Sequence, residues 1–322
     1  MTETVVVLDP ITPERAARLR ALLPPGMALT HATVRGDEHL KQIIAEAHYA
    51  ISGQVAVSGD VLKAARHLKL LHKWGVGVDN LDVGTARTLG ITVARTTGSN
   101  AIPVAEFTLG LTIAALRGLA LGHAELKKGQ WRGLTTLGMD TFMLSGKTVG
   151  IIGFGAIGQQ VARLLRGFDC KILYAKRHRL ASDEEAQLGA QFATPAQIYA
   201  AADVITLNCP LTPETAGMIN RAAFKAMKKT AVLINVARGG IVVEADLIDA
   251  LKARDIHAAA FDVFDTEPLP ADSPLLQVEN LVVTPHLASM ASDNFEKTVR
   301  QMFGNIACVS RGEPVPPRDL VA

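Results

Sequence analysis

Residues 148–158 read Thr-Val-Gly-Ile-Ile-Gly-Phe-Gly-Ala-Ile-Gly, a short apolar run followed by spaced glycines. The apolar half is typical of a buried strand, and Gly153, Gly155 and Gly158 complete the pattern G-x-G-x-x-G. In a strand–turn–helix unit, the first glycine permits the tight turn and the second lets the backbone approach a pyrophosphate. The third lets the helix pack close to the strand.

The helix predicted after this loop, beginning near Gln159, has the chemistry to bind phosphate. The start of a helix offers free N–H donors, here around Ala156 and Ile157, and the positive end of the helix dipole. The alternative is a glycine-rich turn that binds nothing. The position of the glycine loop between a strand and a helix favours a dinucleotide site over this alternative.

Composition limits the function classes. The chain has 322 residues, 48% hydrophobic and 20% charged, with a net charge of +2. This length predicts two domains, and the absence of a basic run argues against a nucleic-acid partner. The most apolar segment, Val104–Leu116, is too short to cross a membrane and contains Glu106, so we expect no membrane partner. Isolated Cys170, Cys209 and Cys308 and an N-terminus unlike a signal peptide predict a cytoplasmic protein.

Strand patterns alternate with helical patterns along the chain, which is typical of βαβ units and parallel sheets. We therefore expect an α/β protein with two doubly wound parallel-sheet domains. A Rossmann cofactor domain of residues 101–289 would be inserted in a smaller, flavodoxin-like substrate domain of residues 1–100 and 290–322. The last helical pattern, from Ala291 to about Ser310, would cross back to the first sheet.

Three side chains that could do chemistry follow predicted strands. Ligands of such sheets bind beyond the carboxyl ends of the strands, where Arg238, Glu267 and His286 all stand. An arginine there can grip a carboxylate, and a carboxylate beside an imidazole stabilises the protonated ring, which can then act as an acid. Taken singly, each is more simply a solvated or structural residue. Together they fit carbonyl reduction by a bound hydride carrier. The sequence has no H-E-x-x-H motif, which would indicate a catalytic metal, and no G-x-S-x-G motif, which would indicate a hydrolase.

Several further motifs occur in a fixed order. They are Gly75–Asn80 (GVGVDN), Val104–Glu106, Gly153–Gly158, Pro210–Thr215 (PLTPET), Asn235–Gly240 (NVARGG), Asp262–Phe264 with Glu267–Pro268, and Thr284–His286. With these motifs the chain resembles the D-isomer-specific 2-hydroxyacid dehydrogenases, the family of D-3-phosphoglycerate dehydrogenase and glyoxylate/hydroxypyruvate reductases. The resemblance is clearest from about Leu68 to Ser289.

The resemblance implies roles for individual residues. His286 would protonate the keto oxygen while hydride reaches the carbonyl carbon, Glu267 would keep His286 charged, and Arg238 would bind the substrate carboxylate. The backbone N–H groups of Val76 and Gly77 would hold the same carboxylate. The positions that match dinucleotide contacts of the family are Thr108, Pro210, Thr215, Ala237 and Asp262, the last of which would contact the nicotinamide amide.

One departure from the family pattern concerns the cofactor. An NAD site usually places an acid at the end of the second strand, roughly 20 residues past the loop, to bind the ribose hydroxyl. Here Tyr174 is followed by Ala175, Lys176 and Arg177. A carboxylate would repel a 2′-phosphate, whereas Lys176 or Arg177 could bind it. We therefore expect NADP to be preferred, with NAD possible; the alternative is that these charges simply face water.

The expected partner is a small 2-keto or 2-hydroxy acid, and the leading hypothesis is a 2-keto acid reductase. An alternative is a D-3-phosphoglycerate dehydrogenase, in which Lys73 would meet a distal group of the substrate rather than being an ordinary strand-end lysine. A cofactor-sensing binding protein is a third possibility, because the fold also serves a transcriptional corepressor. Since the family is usually dimeric, residues 118–144 are expected to pack on a second subunit; the alternative is a surface excursion on their own domain.

Overall fold

The structure is a computed structural model that describes residues 2–131 and 140–322. The chain divides into two compact units. Unit 1 comprises Met1–Asn100 and Ala291–Ala322, and unit 2 comprises Ala101–Met290. Part of the expected dimer arm, residues 132–139, lies outside the described residues.

The regular elements alternate through both units. The strands are β1 (Glu3–Val7), β2 (Met27–His31), β3 (Tyr49–Ser52), β4 (Leu70–Lys73), β5 (Thr92–Arg95), β6 (Thr148–Ile152), β7 (Lys171–Ala175), β8 (Ala190–Phe192), β9 (Val204–Leu207), β10 (Val232–Asn235), β11 (Ala258–Phe261) and β12 (Leu281–Val283). The helices are α1 (Pro13–Arg20), α2 (Asp37–Ile44), α3 (Gly59–Ala64), α4 (Val83–Thr88), α5 (Ala101–Arg117), α6 (Leu119–Lys127), α7 (Ala156–Leu165), α8 (Ser182–Leu188), α9 (Pro195–Ala201), α10 (Arg221–Ala226), α11 (Glu244–Lys252) and α12 (Phe295–Ser310).

Each unit is built on its own parallel sheet. Unit 1 has the strand order β2-β1-β3-β4-β5, and unit 2 has the order β12-β11-β10-β9-β6-β7-β8. These are the flavodoxin-like and Rossmann orders, so the predicted fold class is confirmed. In unit 2 the strand order reverses between β6 and β9, and the glycine-rich loop leaves β6 at this switch point, where ligands of such sheets bind.

The central strands of unit 2 are buried on both faces. All four residues of β9 and of β10 are buried. Along β10, Leu233 packs into one apolar cluster while Val232 and Ile234 pack into the cluster on the opposite face. Burial on both faces explains why these strands read as continuous apolar runs without alternation. The polar residues that follow them therefore mark the points where the chain leaves the core.

The apolar segment after residue 100 forms a bent pair of helices. Helix α5 buries residues such as Val104, Ala105 and Leu111, as its composition predicts. Within the described residues, no single helix has both the length and the hydropathy of a membrane span; α5 and α6 reach them only as a pair that is bent by 67°.

The chain's last segment closes one edge of the sheet in unit 1. The Val93 N–H donates to the Ala322 carbonyl at 2.7 Å, and the Val321 N–H donates to the Val93 carbonyl at 2.8 Å. The buried carboxylate of Asp319 accepts hydrogen bonds from Gln301 and Asn305 of α12. This segment thereby pairs with β5, which would otherwise be an exposed edge strand.

Candidate active site

Gly153 makes the turn that follows β6. Its φ is +94°, in the region that favours glycine, and a Cβ here would overlap the backbone of Asn208 and Cys209. The Gly153 N–H donates to the Ala175 carbonyl at 2.9 Å. The turn therefore lies tightly against the ends of the two neighbouring strands, and a side chain at this position would displace it.

The other two glycines have different surroundings. A Cβ on Gly158 would overlap the Gly153 carbonyl oxygen, so this glycine permits close packing of α7 against the turn. A Cβ on Gly155 would meet no atom within 4 Å, so the space beside this residue is open. Helix α7 begins at Ala156, earlier than the predicted Gln159, because extended Gly155 is its N-cap.

No side chain caps α7, so its first N–H groups lack intrahelical partners and can bind an anion. The open space at Gly155 lies at this helix start. The loop thus fits the pyrophosphate of a dinucleotide on structural grounds, since it combines a turn, a close-packing position and an unfilled cradle.

Tyr174 connects the glycine loop to the segment after β7. Its ring stacks on Phe154 with centroids 4.3 Å apart, and its hydroxyl donates to Glu185 at 2.6 Å. The same hydroxyl accepts the Leu180 N–H at 2.9 Å. Arg179 makes two further hydrogen bonds to Glu185, at 2.8 and 2.9 Å. These contacts fix both ends of the basic segment, and they engage the Arg179 guanidinium with Glu185.

Lys176 and Arg177, the residues expected at a 2′-phosphate, are both exposed. A hydrogen bond with Thr212 is the largest effect that lowers the pKa of Glu214 in the loop of residues 210–215, and Arg177 is near enough for its charge to add to this effect. This loop also holds Pro210 and Thr215, whose hydroxyl donates to the Pro210 carbonyl at 2.7 Å. The basic segment and this loop therefore lie on the same side of unit 2.

His286 and Glu267 form a direct pair. Nδ1 of His286 lies 2.6 Å from Oε2 of Glu267, and because a carboxylate only accepts hydrogen bonds, Nδ1 is the donor. Nε2 is then the nitrogen left for a ligand. Burial raises the pKa of Glu267, but the hydrogen bond and charge of His286 outweigh burial and leave the pKa below its ordinary value. Glu267 is therefore the ionised partner that holds the imidazole ring in place.

The backbone holds His286 in an unusual conformation. Its φ is +53°, which is uncommon for a residue with a side chain, and its N–H donates to the Asp262 carbonyl at 2.9 Å. The Asp262 carboxylate accepts hydrogen bonds from the Thr284 hydroxyl and the N–H groups of Leu287 and Ala288, at 2.6 to 2.8 Å. Burial raises the pKa of Asp262 against the effect of these donors. Asp262 thus anchors the turn that presents the imidazole.

Arg238 lies in a second turn, which packs against the loop that leads to Glu267. Asn235 brackets this turn, since its amide donates to the Arg238 carbonyl at 2.8 Å and its side-chain oxygen accepts the Ala237 N–H at 3.0 Å. A Cβ on Gly239 would overlap the backbone at Phe264, so the turn packs directly on the loop that leads to Glu267. The charge of Arg238 is among the groups that lower the pKa of Glu267. The structure therefore brings Arg238, Glu267 and His286 together.

The expected substrate loop lies in unit 1. Gly75 has a φ of +141° and its N–H donates to the Thr96 hydroxyl at 3.0 Å, while Arg95 reaches the Val76 carbonyl at 3.5 Å. Within residues 2–131 and 140–322, the N–H groups of Val76 and Gly77 have no hydrogen-bond acceptor. Two neighbouring N–H groups without partners are suited to binding a carboxylate.

Three further residues that were predicted to contact a ligand are buried. Lys73 is only 6% exposed, and its ammonium donates to Asn80 at 2.6 Å and to the Gly53 carbonyl. Thr108 is buried in α5 with its hydroxyl on the Val104 carbonyl, and Ala237 is buried beside the Arg238 turn. The structure thus shows which groups these residues already contact, and their roles toward a ligand stay predictions.

Two positioning residues were not predicted from the sequence. Asn235 interrupts the apolar run of β10 at its end, which is a readable signal. Glu244 at the start of α11 accepts the Asp265 N–H at 2.9 Å and so holds the loop before Glu267. Nothing local in the sequence links Glu244 to that loop. Within the described residues, no group of three or more His, Cys, Asp or Glu side chains could hold a metal ion.

A Rossmann sheet with a glycine-rich phosphate loop at its switch point is typical of a dinucleotide-binding domain. The family model for the "D-isomer specific 2-hydroxyacid dehydrogenase, NAD binding domain" matches residues 109–288. The chain belongs to this family, as the motifs predicted.

The relatives carry two different names. A D-3-phosphoglycerate dehydrogenase of Archaeoglobus fulgidus is 33% identical over 97% of this chain, which spans 58% of that relative's length. A glyoxylate reductase of Korarchaeum cryptofilum is 36% identical over 81% of this chain and 78% of its own. The crystal structure of an NAD-dependent formate dehydrogenase from Staphylococcus aureus, in complex with NAD, superposes with a TM-score of 0.86, at 26% identity and 99% coverage of both chains.

Proposed function

We propose that the protein is an oxidoreductase that reduces a small 2-keto acid to the D-2-hydroxy acid with a reduced nicotinamide dinucleotide. The observation that carries this proposal is the 2.6 Å contact between His286 and Glu267, beside Arg238, at the ligand edge of the sheet that bears the glycine loop. Family membership supports the same reaction class.

The bound dinucleotide would supply the hydride, and the protein's residues would bind the substrate and manage the proton. Arg238 would bind the substrate carboxylate and polarise the carbonyl. Nε2 of His286 would donate a proton to the oxygen as it gains negative charge. Glu267, through its bond to Nδ1, would stabilise the imidazolium before transfer and orient the ring throughout. In the oxidation direction His286 would take the proton back.

The two units would divide the work. Unit 2 would bind the dinucleotide through the glycine loop, with Thr108, Pro210, Thr215 and Ala237 lining the site and Asp262 near the nicotinamide. Unit 1 would contribute the N–H groups of Val76 and Gly77 for the substrate carboxylate. The unpartnered state of these two donors among the described residues supports that role.

We propose that NADP is preferred over NAD. The segment after β7 presents exposed Lys176 and Arg177 where NAD-specific sites place an acid. Arg179 is bound to Glu185, so Lys176 and Arg177 are the cations of this segment suited to a 2′-phosphate. NAD remains a usable cofactor in this proposal, since the loop itself does not distinguish the two dinucleotides.

Phosphoglycerate oxidation is the second candidate function, favoured by the names of several relatives. Lys73 was the residue expected to serve it. Its 6% exposure and its bonds to Gly53 and Asn80 favour the simpler role of bracing the strand end. A cofactor-sensing binding protein is the candidate of another class.

We further propose a homodimer working in the cytoplasm. Large apolar side chains are exposed on α6 and on both sides of residues 132–139, namely Leu119, Leu126, Trp131 and Met143. Such a group is typical of an interface. The three cysteines are unpaired, which suits a reducing compartment. Sedimentation of the purified protein would test the dimer; a monomer at micromolar concentration would contradict it.

The test of the function is a substrate panel. Glyoxylate, hydroxypyruvate, pyruvate, 2-ketogluconate and phosphohydroxypyruvate would each be mixed with the protein and with NADPH or NADH, and nicotinamide oxidation followed. We expect reduction of at least one 2-keto acid and a higher kcat/KM with NADPH. Dinucleotide binding without turnover on any member would instead support the binding-protein alternative.

A further inference from the structure

Thr96 holds both hydrogen-bonding groups of Gly75. Strands β4 and β5 are neighbours in the unit 1 sheet, with Lys73 opposite Arg95 at their carboxyl ends. Just beyond these ends, the Thr96 hydroxyl accepts the Gly75 N–H at 3.0 Å and donates to the Gly75 carbonyl at 3.2 Å. The Thr96 N–H donates to the same carbonyl at 3.0 Å. One residue therefore fixes the start of the loop that carries the N–H donors expected to bind a carboxylate.

Thr96 is an internal anchor of this loop. The residue is fully buried, and its own carbonyl accepts the Ser99 hydroxyl at 3.2 Å. A buried hydroxyl without a hydrogen-bond partner costs free energy, so Thr96 keeps its bonds to Gly75. Gly75 cannot rotate away from Thr96 without breaking them.

The geometry of the peptide bond extends this anchoring to Val76. The Gly75 carbonyl and the Val76 N–H belong to one planar trans peptide, so the two groups point in opposite directions. Since the carbonyl points to Thr96, the Val76 N–H points away from the end of β5. This N–H has no acceptor within the part of the chain that the structure describes, and so it is available to a ligand on that side.

Arg95 acts on the next peptide in the same way, but less firmly. Its Nη1 lies 3.5 Å from the Val76 carbonyl, which is long for a hydrogen bond, and its Nε is buried without a partner. The Gly77 N–H points opposite to the Val76 carbonyl. Both carbonyls thus face the end of β5 and both N–H groups face away from it, with Thr96 as the stronger of the two anchors.

We infer that Thr96 is a positioning residue for substrate binding, because through the Gly75 carbonyl it orients the Val76 N–H toward the substrate carboxylate. The inference rests on the proposed function, in which that N–H binds a 2-keto acid. A loop that is held before the ligand arrives loses little conformational freedom on binding. The carboxylate does not react, so its contact with Val76 is alike in the ground state and the transition state. Loss of the orientation should therefore raise KM and leave kcat nearly unchanged.

The kinetic test removes the Thr96 hydroxyl alone. In Thr96→Val, which keeps the shape of the side chain and the backbone N–H, KM for the 2-keto acid should rise about tenfold, since a hydrogen bond to a charged group is weakened. The kcat and the Kd of NADPH should stay within about twofold. Thr96→Ser, which retains the hydroxyl, should recover most of the KM, and Thr96→Ala should behave as Thr96→Val does.

The matched control is Thr97→Val, because the Thr97 hydroxyl donates to the Arg318 carbonyl at 2.7 Å and not to the loop. This variant loses a hydrogen bond next to Thr96 and should keep the wild-type KM. A wild-type KM in Thr96→Val and Thr96→Ala, or the same rise in Thr97→Val, would overturn the inference. Failure of Thr96→Ser to recover the KM would overturn it as well.

A binding test without turnover separates this inference from the proposed function. The chain contains two Gly–Val pairs, Gly75–Val76 and Gly77–Val78, so isotopic labelling of glycine carbonyl carbons and valine nitrogens selects the amide signals of Val76 and Val78 in NMR spectra. The probe is oxamate, a 2-keto acid analogue whose amide carbonyl accepts no hydride, added to protein saturated with NADPH. Oxamate should shift the Val76 signal more than the Val78 signal, and Thr96→Val should bind oxamate about tenfold more weakly.

The outcomes of this binding test differ for the two claims. Equal movement of both signals, or wild-type affinity for oxamate in Thr96→Val, would overturn the inference even if the protein reduces 2-keto acids. A selective shift of Val76 that Thr96→Val weakens, in a protein that reduces no 2-keto acid, would support the inference and refute the proposed function alone.

Discussion

Substituting Gly155 by alanine isolates the cofactor loop from the stability of the fold. Gly155 has φ −84° and ψ −156°, a conformation that alanine adopts without strain, and its added Cβ would meet no protein atom within 4 Å. Glycine-to-alanine changes at compatible positions stabilise by about 0.4–1 kcal/mol, while alanine is a poorer N-cap by up to about 1 kcal/mol. The free energy of unfolding of Gly155→Ala should therefore stay within about 1 kcal/mol of the wild-type value.

The same methyl group should weaken cofactor binding. It would occupy the open space at the start of α7 where the pyrophosphate has to approach. Displacing even one charge-assisted hydrogen bond costs about 1.5–3 kcal/mol, which corresponds to an increase in Kd of about tenfold to a hundredfold. Both NADPH and NADH should be affected alike, because they share the pyrophosphate.

Isothermal titration with each dinucleotide and urea unfolding would measure the two quantities. Gly304→Ala is the control, since Gly304 lies exposed within α12 with open space around it. Gly158→Ala should instead lower the free energy of unfolding, because its Cβ would overlap the Gly153 carbonyl. Wild-type affinity in a folded Gly155→Ala protein would refute the assignment of this loop to the pyrophosphate.

Two further predictions concern charged residues. Arg177→Ala should raise the Kd of NADPH about tenfold and leave the Kd of NADH unchanged. The control is Arg163→Ala on the surface of α7, which should change neither Kd. Equal losses of affinity for both cofactors in calorimetry would contradict a contact between Arg177 and the 2′-phosphate. Glu3 has its pKa lowered to about 2 by hydrogen bonds that include one from Lys69 and that outweigh burial. A depressed carboxyl pKa stabilises the fold above the unfolded value and loses this effect as pH falls through the folded value, so Glu3→Gln should be less stable at pH 7 and match the wild type near pH 2. Urea unfolding between about pH 2 and pH 7 would measure the free energy of unfolding, with exposed Glu38→Gln as the control. A difference between Glu3→Gln and the wild type that does not change with pH would contradict this role of Glu3.

Features set by local pattern were predictable from the sequence. The strand β6, the turn at Gly153 and the two-sheet organisation follow from apolar runs and glycine spacing. Since the carboxyl ends of parallel strands share one edge, Arg238, Glu267 and His286 could be expected near one another before any distance was known. The structure places Glu267 and His286 in a 2.6 Å contact, and the catalytic roles of all three residues stay predictions.

Features set by contacts distant in sequence were not predictable. The pairing of Val93 with Val321 joins chain positions that no local pattern relates. Helix α6 buries only Glu125 among its residues, so no apolar face at helical spacing marks it in the sequence. The role of Asp262 as the anchor of the His286 turn depends on three donors that come from beyond the next strand.

The measurement that tests the central claim most directly is single-turnover reduction of a 2-keto acid in the protein preloaded with NADPH. The wild type and His67→Asn, which changes an exposed histidine, should oxidise the bound nicotinamide rapidly. His286→Asn should bind NADPH with unchanged Kd and react at least about a hundredfold more slowly, because general acid catalysis contributes about 10²–10⁴-fold. Wild-type rates in His286→Asn would contradict the assignment of His286 as the proton donor paired with Glu267.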